Sequence, residues 1–267
     1  RPDRFWDTQG PIPPQRAKPL EIEELSAEMD AAGVDRVILV PPMWEGPRND
    51  YALAAAQRQP ERYAVMARLD PADPAGIALL PNWLETPGML GVRVAFNRAD
   101  REAKLQRAEA AGFFAVAEAA GVPLMVFCPG LVSQMGGVAE RFPRLRIIID
   151  HLALDETDHG KDLRALTRPL LPLARLPNVA VKVSALPCFV ADPPGFDILR
   201  PLVSEMVSHF GAERAFWGSD LSRLPCPYGQ WVDFFVNDLP ELDDAQRALV
   251  LGEGVCRWLG WDPAPRQ

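Results

Sequence analysis

Two side chains with catalytic potential directly follow short apolar segments of the chain. His151, one of three histidines in 267 residues, comes after Arg146-Ile-Ile-Ile-Asp150, and Asp220 comes after Phe216-Trp-Gly-Ser219. A β-branched run of this kind is typical of a parallel strand buried on both faces. Parallel α/β enzymes carry their catalytic groups at the carboxyl ends of such strands, where imidazole and carboxylate groups transfer protons. We therefore take His151 and Asp220 as candidate catalytic residues, although such a pair can also be structural.

Charged and polar side chains inside other apolar segments indicate which face of each strand looks into an interior. Successive side chains of a strand point to opposite faces, and a charge beneath a helix layer is costly unless it is paired or binds an anion. Charges within Val92-Arg-Val-Ala95 and Val181-Lys-Val-Ser184 are therefore predicted to point inward, and two arginines lie at or just beyond strand ends. The side chains predicted to converge at one mouth with His151 and Asp220 are Arg68, Arg93, Lys182, Ser184 and Arg223.

A cysteine and a tryptophan complete the set of candidates. Cys128 follows a predicted strand and Trp44 lies in a predicted mouth loop, so both could line a substrate site, although Trp44 could also lie at the surface. A buried, unreactive thiol is the simpler interpretation of Cys128, because a nucleophilic cysteine needs a lowered pKa. The acidic segment from Asp155 to Asp162 does not have the spacing of a known metal-binding loop and is interpreted as solvated.

Helical and strand patterns alternate from residue 20 onward, which predicts an α/β protein with a parallel sheet. Long helices are predicted at 101–120 and 162–175, and seven strands are predicted at 37–40, 63–69, 90–96, 122–128, 146–149, 178–184 and 214–217. A (β/α)8 TIM-type barrel needs eight strands, and no strand pattern precedes Leu20. We therefore expect a barrel whose first strand lies upstream of Arg1, with a doubly wound open sheet as the alternative. The barrel would be a single domain over 1–267, with 1–19 as an extended N-terminal arm.

Composition excludes some classes of partner. The net charge of −8 opposes binding to nucleic acid and to anionic membranes. No apolar run approaches the roughly 20 residues of a membrane span, and no signal peptide is recognisable. Four cysteines are too few for a disulfide scaffold, so a cytoplasmic protein is expected. The composition is compatible with a homo-oligomer.

Several segments together resemble one known family. They are the strand motifs at 146–152, 178–186 and 216–221, and the helix-to-strand entries at 31–40 and 142–148. The resemblance is to the amidohydrolase-related family of TIM-barrel proteins, which includes lactonases and decarboxylases, and it covers nearly the whole chain. It implies a TIM-type barrel and a hydrolase of a family in which many members depend on a metal.

The family's metal-binding pattern is only half present. Members with a metal carry His-x-His on the first strand, a histidine on the fifth, a histidine on the sixth and an aspartate on the eighth. Only His151 and Asp220 match, because the fifth family strand reads Pro123-Leu-Met-Val-Phe127 and the first would lie upstream of Arg1. Catalytic zinc usually needs three protein ligands, although Cys128 could replace one. The expectation is no metal cofactor, with zinc only if upstream residues supply ligands.

The metal-free lactonases of the family imply a role for each candidate. Asp220 would activate water as a general base, and His151 would orient or polarise the scissile carbonyl. Arg93 and Lys182, with Arg68 or Arg223, would hold the carboxylate of a small anionic lactone or ester. A metal-dependent decarboxylase on the same scaffold and a catalytically inactive protein remain as alternatives. The other residues expected to contact substrate are Trp44, Ser184 and Cys128.

Overall fold

The computed structural model describes residues 20–42, 48–97 and 99–261 of the chain. All seven predicted strands are present, and they form one parallel sheet in which each strand pairs with its neighbours in the sequence. The strands are β1 Val37–Leu39, β2 Tyr63–Arg68, β3 Met89–Ala95, β4 Leu124–Phe127, β5 Ile147–Ile149, β6 Val179–Ser184 and β7 Ala215–Gly218.

Helices connect the strands; most pack on the outer face of the sheet, whereas α11 also reaches the inner one. They are α1 Ile22–Ala32, α2 Asp50–Arg58, α3 Pro74–Ile77, α4 Arg101–Ala110, α5 Phe113–Ala119, α6 Val132–Arg141, α7 Leu163–Thr167, α8 Phe196–Phe210, α9 Tyr228–Asn237, α10 Asp244–Ala248 and α11 Gly254–Leu259. Short 3₁₀ segments lie at Leu80–Glu85, Asp150–Ala153, Glu156–Asp158, Arg168–Arg175, Leu186–Phe189 and Ala212–Arg214, and a π turn lies at Leu249–Glu253. No described helix has the length and apolar character needed to cross a bilayer.

Two predicted helices are interrupted in the structure. The segment predicted as one helix over 101–120 contains α4 and α5, which are separated because Gly112 adopts a left-handed conformation with φ 73°. Glycine adopts this conformation without the steric cost that a Cβ atom would add. The segment predicted as a helix over 162–175 becomes 3₁₀ after α7, and Pro172 lies inside that part. Proline removes a backbone donor there and disfavours a regular α-helix.

The sheet is curled, because one side chain from each of five strands meets its counterparts in a single inner cluster. The buried members from the sheet are Met66, Met125, Ile148, Ala180 and Phe216, with Ile38 and Leu90 packed against them from the two other strands. Leu259 of α11 belongs to this inner cluster, and Val255 and Trp258 pack against it. The alternate strand residues, including Val65, Val126 and Val181, belong to a second and larger core on the other face of the sheet.

Alternation along the strands then places the next inward side chain of each strand above the inner cluster. Arg68 is two residues beyond Met66, Asp150 is two beyond Ile148, and Lys182 is two beyond Ala180. A layer of charged residues therefore lies on top of the apolar cluster, toward the carboxyl ends of the strands. The predicted inward direction of Lys182 and Arg93 is what the structure has, because both side chains reach Asp150.

Within the residues that the structure describes, β1 and β7 are the two outer strands of the sheet, and the order between them is sequential. The predicted arm at 1–19 lies outside the described residues. What is established is a curled, seven-stranded parallel α/β sheet whose inner face carries both an apolar and a charged layer.

Candidate active site

Unusual backbone conformations cluster at the carboxyl ends of three adjacent strands. Non-glycine residues rarely adopt a positive φ, and such conformations often mark functional sites. Among the described residues, the five that do so lie within four residues after the end of β5, β6 or β7: His151, Leu152, Ala153, Ala185 and Asp220. The single left-handed turn after β5 has φ values of 51°, 53° and 56°, and Asp220 has φ 52°. The chain therefore leaves these strands in conformations that aim His151 and Asp220 at the same place.

His151 lies between a serine and the candidate base. Its Nδ1 is 2.8 Å from the Ser184 hydroxyl oxygen, and its Nε2 is 3.9 Å from Oδ2 of Asp220. The first contact is a hydrogen bond, whereas the second is longer than one. A substrate or water oxygen about 2.8 Å from each atom could bond to both, since that distance is typical of such bonds. The Phe127 ring contacts the imidazole edge-on, with 5.8 Å between the ring centroids.

The environment of His151 keeps its imidazole neutral. Burial disfavours the charged form and lowers the pKa of His151 to about 4, although the Asp220 carboxylate opposes the shift. A neutral imidazole presents one N–H donor and one acceptor nitrogen. If the Ser184 hydroxyl donates to Nδ1, the imidazole proton is on Nε2, the nitrogen that faces Asp220.

A buried carboxylate below this pair binds two cations. Asp150 is 1% exposed, and its Oδ2 accepts a hydrogen bond from Nε of Arg93 at 3.0 Å. Its Oδ1 is 3.0 Å from Nζ of Lys182. Burial alone would raise the pKa of Asp150, but the Lys182 and Arg93 cations outweigh it and hold that pKa well below the usual range. Asp150 is therefore ionised, and it holds the two cations predicted for the substrate clamp.

Arg68 is the third cation of this layer. Asn49 fixes its backbone on both sides, since the Arg68 N–H donates to Oδ1 of Asn49 and the Asn49 amide donates to the Arg68 carbonyl, at 2.7 and 2.9 Å. Burial, together with the positive charge of Arg93, lowers the pKa of Arg68 to about 10, while Asp150 opposes both effects. The guanidinium remains charged at neutral pH, yet its Nη1 is buried without a hydrogen-bond partner among the described residues.

Arg223 and Cys188 shape the rim next to Asp220. The Arg223 N–H donates to the Asp220 carbonyl at 2.8 Å, which closes a turn, and its Nε is 4.0 Å from Oδ2 of the same residue. The Cys188 thiol donates to the Arg223 carbonyl at 3.3 Å, while Trp231 of α9 donates to the carbonyl of Gly218 at the end of β7. A pocket of about 220 Å³ opens between the loops that follow β5, β6 and β7, lined by His159, Pro187, Cys188, Val190, Pro193, Arg223 and Pro225.

Of the remaining residues predicted to contact substrate, Cys128 is buried away from the mouth. Cys128 is fully buried in the larger core, and burial together with the charge of Asp150 raises the pKa of its thiol. Burial also raises the pKa of Cys188 to about 12, so neither thiol has the lowered pKa of a nucleophile. Trp44 lies outside the described residues. The structure thus brings together His151, Ser184, Asp220 and Arg223 at the rim and Arg68, Arg93 and Lys182 below it.

The residues described do not form a zinc site. No group of three or more His, Cys, Asp or Glu side chains with metal-binding geometry occurs among them. On β4, which the resemblance matches to the family's fifth strand, the side chain next to His151 is the apolar ring of Phe127 rather than a ligand. The Arg93 guanidinium also lies 5.5 Å from the centre of that ring, so the group beside Phe127 is a cation and not a metal-binding side chain. His151 and Asp220 alone do not provide the three protein ligands that catalytic zinc usually has.

Sequence reasoning missed the role of Asp150. The residue was visible beside His151, and its position two residues after Ile148 places it on the inner face, but its partners come from β3 and β6. The available signal was the alternation of side chains along the strand, which places Asp150 on the same inner face as Arg93 and Lys182. A buried acid there destabilises the fold unless it pairs with a cation. The Ser184 contact with His151 was also unforeseen, since Ser184 was expected only to touch substrate.

Comparison with known proteins identifies the family. The family profile described as Amidohydrolase matches residues 3–259. An L-fucono-1,5-lactonase from Burkholderia ambifaria is 37% identical over 128 residues, a match that covers 45% of this chain and only 43% of the relative. A 4-sulfomuconolactone hydrolase from Hydrogenophaga intermedia is 27% identical over 243 residues, covering 85% of this chain and 76% of the relative.

A solved structure supports the architecture. The crystal structure of an amidohydrolase from Burkholderia multivorans with bound zinc has a TM-score of 0.76 and 20% identity, and the match covers 91% of this chain and 89% of that one. At 20% identity, the similarity shows that the two proteins share a fold. The profile match over nearly the whole sequence confirms the resemblance inferred from the strand motifs: the chain belongs to the amidohydrolase family.

Proposed function

We propose that this protein hydrolyses a small lactone or ester that carries a carboxylate group. Asp220 acts as the general base that takes a proton from water, and His151 polarises the scissile carbonyl. The observation that carries this proposal is the position of His151 Nε2, 3.9 Å from Oδ2 of Asp220, whose neighbour Arg223 lines the pocket. Water held by Asp220 would attack a carbonyl carbon whose oxygen accepts a hydrogen bond from His151.

The state of His151 supports this division of roles. A neutral imidazole held by Ser184 at Nδ1 can donate from Nε2 to the carbonyl oxygen, and its donation strengthens as negative charge develops there. A protonated histidine would form an ion pair with Asp220 and make that carboxylate a weaker base. Because burial keeps His151 uncharged, the Asp220 carboxylate is not held in an ion pair with it and can accept a proton from water.

The charge of the layer below supports an anionic substrate. Among the described residues, three cations, Arg68, Arg93 and Lys182, lie with one carboxylate, that of Asp150, so positive charge is in excess there. A carboxylate on the substrate would offset this excess, and arginine guanidinium groups match carboxylate geometry. The two relatives are named for hydrolysis of lactones, which supports a cyclic ester as the substrate class.

We also propose that an eighth strand between β7 and β1 completes a TIM-type barrel. The inner cluster already receives side chains from all seven described strands, and α11 residues contact it from the same interior. Pairing with an eighth strand would satisfy the backbone groups on the open sides of β1 and β7. This arrangement would enclose the charged layer and leave the mouth as the route for substrate.

We expect the purified protein to contain no stoichiometric zinc, because Phe127 and not a ligand faces His151. Elemental analysis of protein prepared without chelator is the measurement, with a His151→Ala variant prepared in parallel. Near-stoichiometric zinc that disappears in that variant would contradict the expectation, and it would favour the metal-dependent decarboxylase on this scaffold instead.

A screen tests the function itself. The panel comprises five- and six-membered lactones and esters, each as a carboxylate and as the matching neutral amide, with proton release as the common readout. Turnover that favours the carboxylates supports the proposal. If the protein hydrolyses nothing in the panel while it remains folded, the catalytically inactive alternative gains and the proposal fails.

A further inference from the structure

The cations below His151 are not equally available to a ligand. Arg93 and Lys182 each place a nitrogen 3.0 Å from one oxygen of Asp150, so both oxygens of that carboxylate already have a cation. Arg68 contributes charge to the same layer, but its Nη1 is buried without a partner among the described residues. An unsatisfied buried donor on a charged group is costly, which makes this atom a strong site for an incoming acceptor.

We propose that Arg68 anchors the carboxylate of the substrate and that Asp150 is the positioning residue that holds Arg93 and Lys182 in place beside it. This inference rests on the proposed hydrolysis and deepens it, since it names the specificity-determining residue of the site. The charges of Arg93 and Lys182 still attract the substrate, but the direct bonds to its carboxylate come from Arg68.

Repulsion from Asp150 explains why Arg93 and Lys182 are poorer anchors. A substrate carboxylate bonded to the same nitrogens would lie close to the negative charge of Asp150, and like charges at such distances oppose binding. Arg68 makes no ion pair with that carboxylate among the described contacts. Its backbone is already fixed by two hydrogen bonds to Asn49, so little backbone motion is lost when a ligand binds.

Asp150 in turn determines where the other two cations lie. Arg93 comes from β3 and Lys182 from β6, on opposite sides of β5, and each reaches inward to the same residue after β5. Without that carboxylate the three cations would repel one another, and the long Lys182 side chain would be free to move toward solvent. The positions of the Arg93 and Lys182 side chains therefore depend on Asp150, although Asp150 itself is not expected to touch the substrate.

The test of Arg68 uses a matched pair of substrates. The probes are 5-oxotetrahydrofuran-2-carboxylate and its neutral carboxamide, and the readout is the ratio of their kcat/KM values. Arg68→Met should lower this ratio by about 10- to 100-fold, because a hydrogen bond to a charged group is lost. The loss should appear mainly as a higher KM for the acid, and Arg68→Lys should restore part of it. Arg62→Met is the control, since Arg62 precedes the same strand at its opposite end and pairs with Asp30.

The test of Asp150 separates positioning from simple charge balance. Asp150→Asn should lower both the melting temperature and the acid-to-amide ratio. The double variant Asp150→Asn with Lys182→Met removes one negative and one positive charge, so it should recover melting temperature but not the ratio. Full recovery of the ratio in the double variant would overturn the positioning role.

Binding of the ring-opened acid distinguishes a failed anchor from a failed function. Isothermal titration of 2-hydroxyglutarate into wild type and Arg68→Met gives the anchor its own readout. If the wild type binds 2-hydroxyglutarate, Arg68→Met does not, and the wild type hydrolyses no lactone, the result supports Arg68 as the anchor and overturns the proposed hydrolysis. Turnover with an unchanged acid-to-amide ratio in Arg68→Met overturns the anchor and supports hydrolysis. The absence of both binding and turnover in the wild type overturns both.

Discussion

Replacement of Asp220 by asparagine is expected to lower kcat by a factor of about 10²–10⁴, the usual contribution of a general base. Asparagine has the shape of aspartate but cannot accept a proton from water. The left-handed conformation of residue 220 is also tolerated by asparagine, so the backbone at the end of β7 should not change. KM should change little, because the substrate carboxylate is held by the layer below and not by Asp220.

Asp192→Asn provides the control for this experiment. Asp192 is an exposed aspartate in the loop after β6, on the same side of the sheet, so its replacement removes one negative charge there while His151, Ser184 and Asp220 are unchanged. Steady-state kinetics on the best lactone of the panel should show wild-type kcat for this variant. If Asp220→Asn also retains full kcat, the base is another residue and the mechanism proposed for His151 and Asp220 is wrong.

Replacement of Asp150 by asparagine is expected to lower the free energy of unfolding by about 3–5 kcal/mol, the cost of breaking a buried ion pair by removing one partner. Asp150 is 1% exposed, and its loss leaves Arg93 and Lys182 buried without a counter-charge. Urea unfolding followed by tryptophan fluorescence measures the change. A loss below about 1 kcal/mol, the ordinary value for an exposed pair, would mean that solvent reaches this layer.

The pH dependence of stability supplies a second readout for Asp150. Its pKa is depressed in the folded protein, so the stabilisation is fully present above the unfolded pKa of about 3.9 and declines as pH falls below it. Wild type and Asp150→Asn should therefore differ most at neutral pH and converge as the pH falls toward the folded pKa. Glu253→Gln is the control, because the Glu253–Arg257 pair is exposed and should contribute less than about 1 kcal/mol at any pH.

Local sequence patterns predicted the secondary elements that position the site. β-branched runs such as 147–149 form strands because their side chains pack well on both faces of a buried sheet. Parity along β6 also predicted that Lys182 and Ser184 share the inner face, since alternation is a property of any extended strand. Breaks inside helices were harder to predict, because the pattern over 101–120 is helical on both sides of Gly112.

The sequence alone also determined the family, through motifs at three strand ends that contain His151, Lys182 with Ser184, and Asp220. It determined that these groups face one interior, because the strand period is local. Only the tertiary structure decided which of them pair. Arg93 and Asp150 are 57 residues apart, and His151 and Ser184 are 33 apart, yet each pair is in hydrogen-bond contact. Such contacts depend on the register and curvature of the sheet, which arise from packing between distant strands and leave no local signal in the sequence.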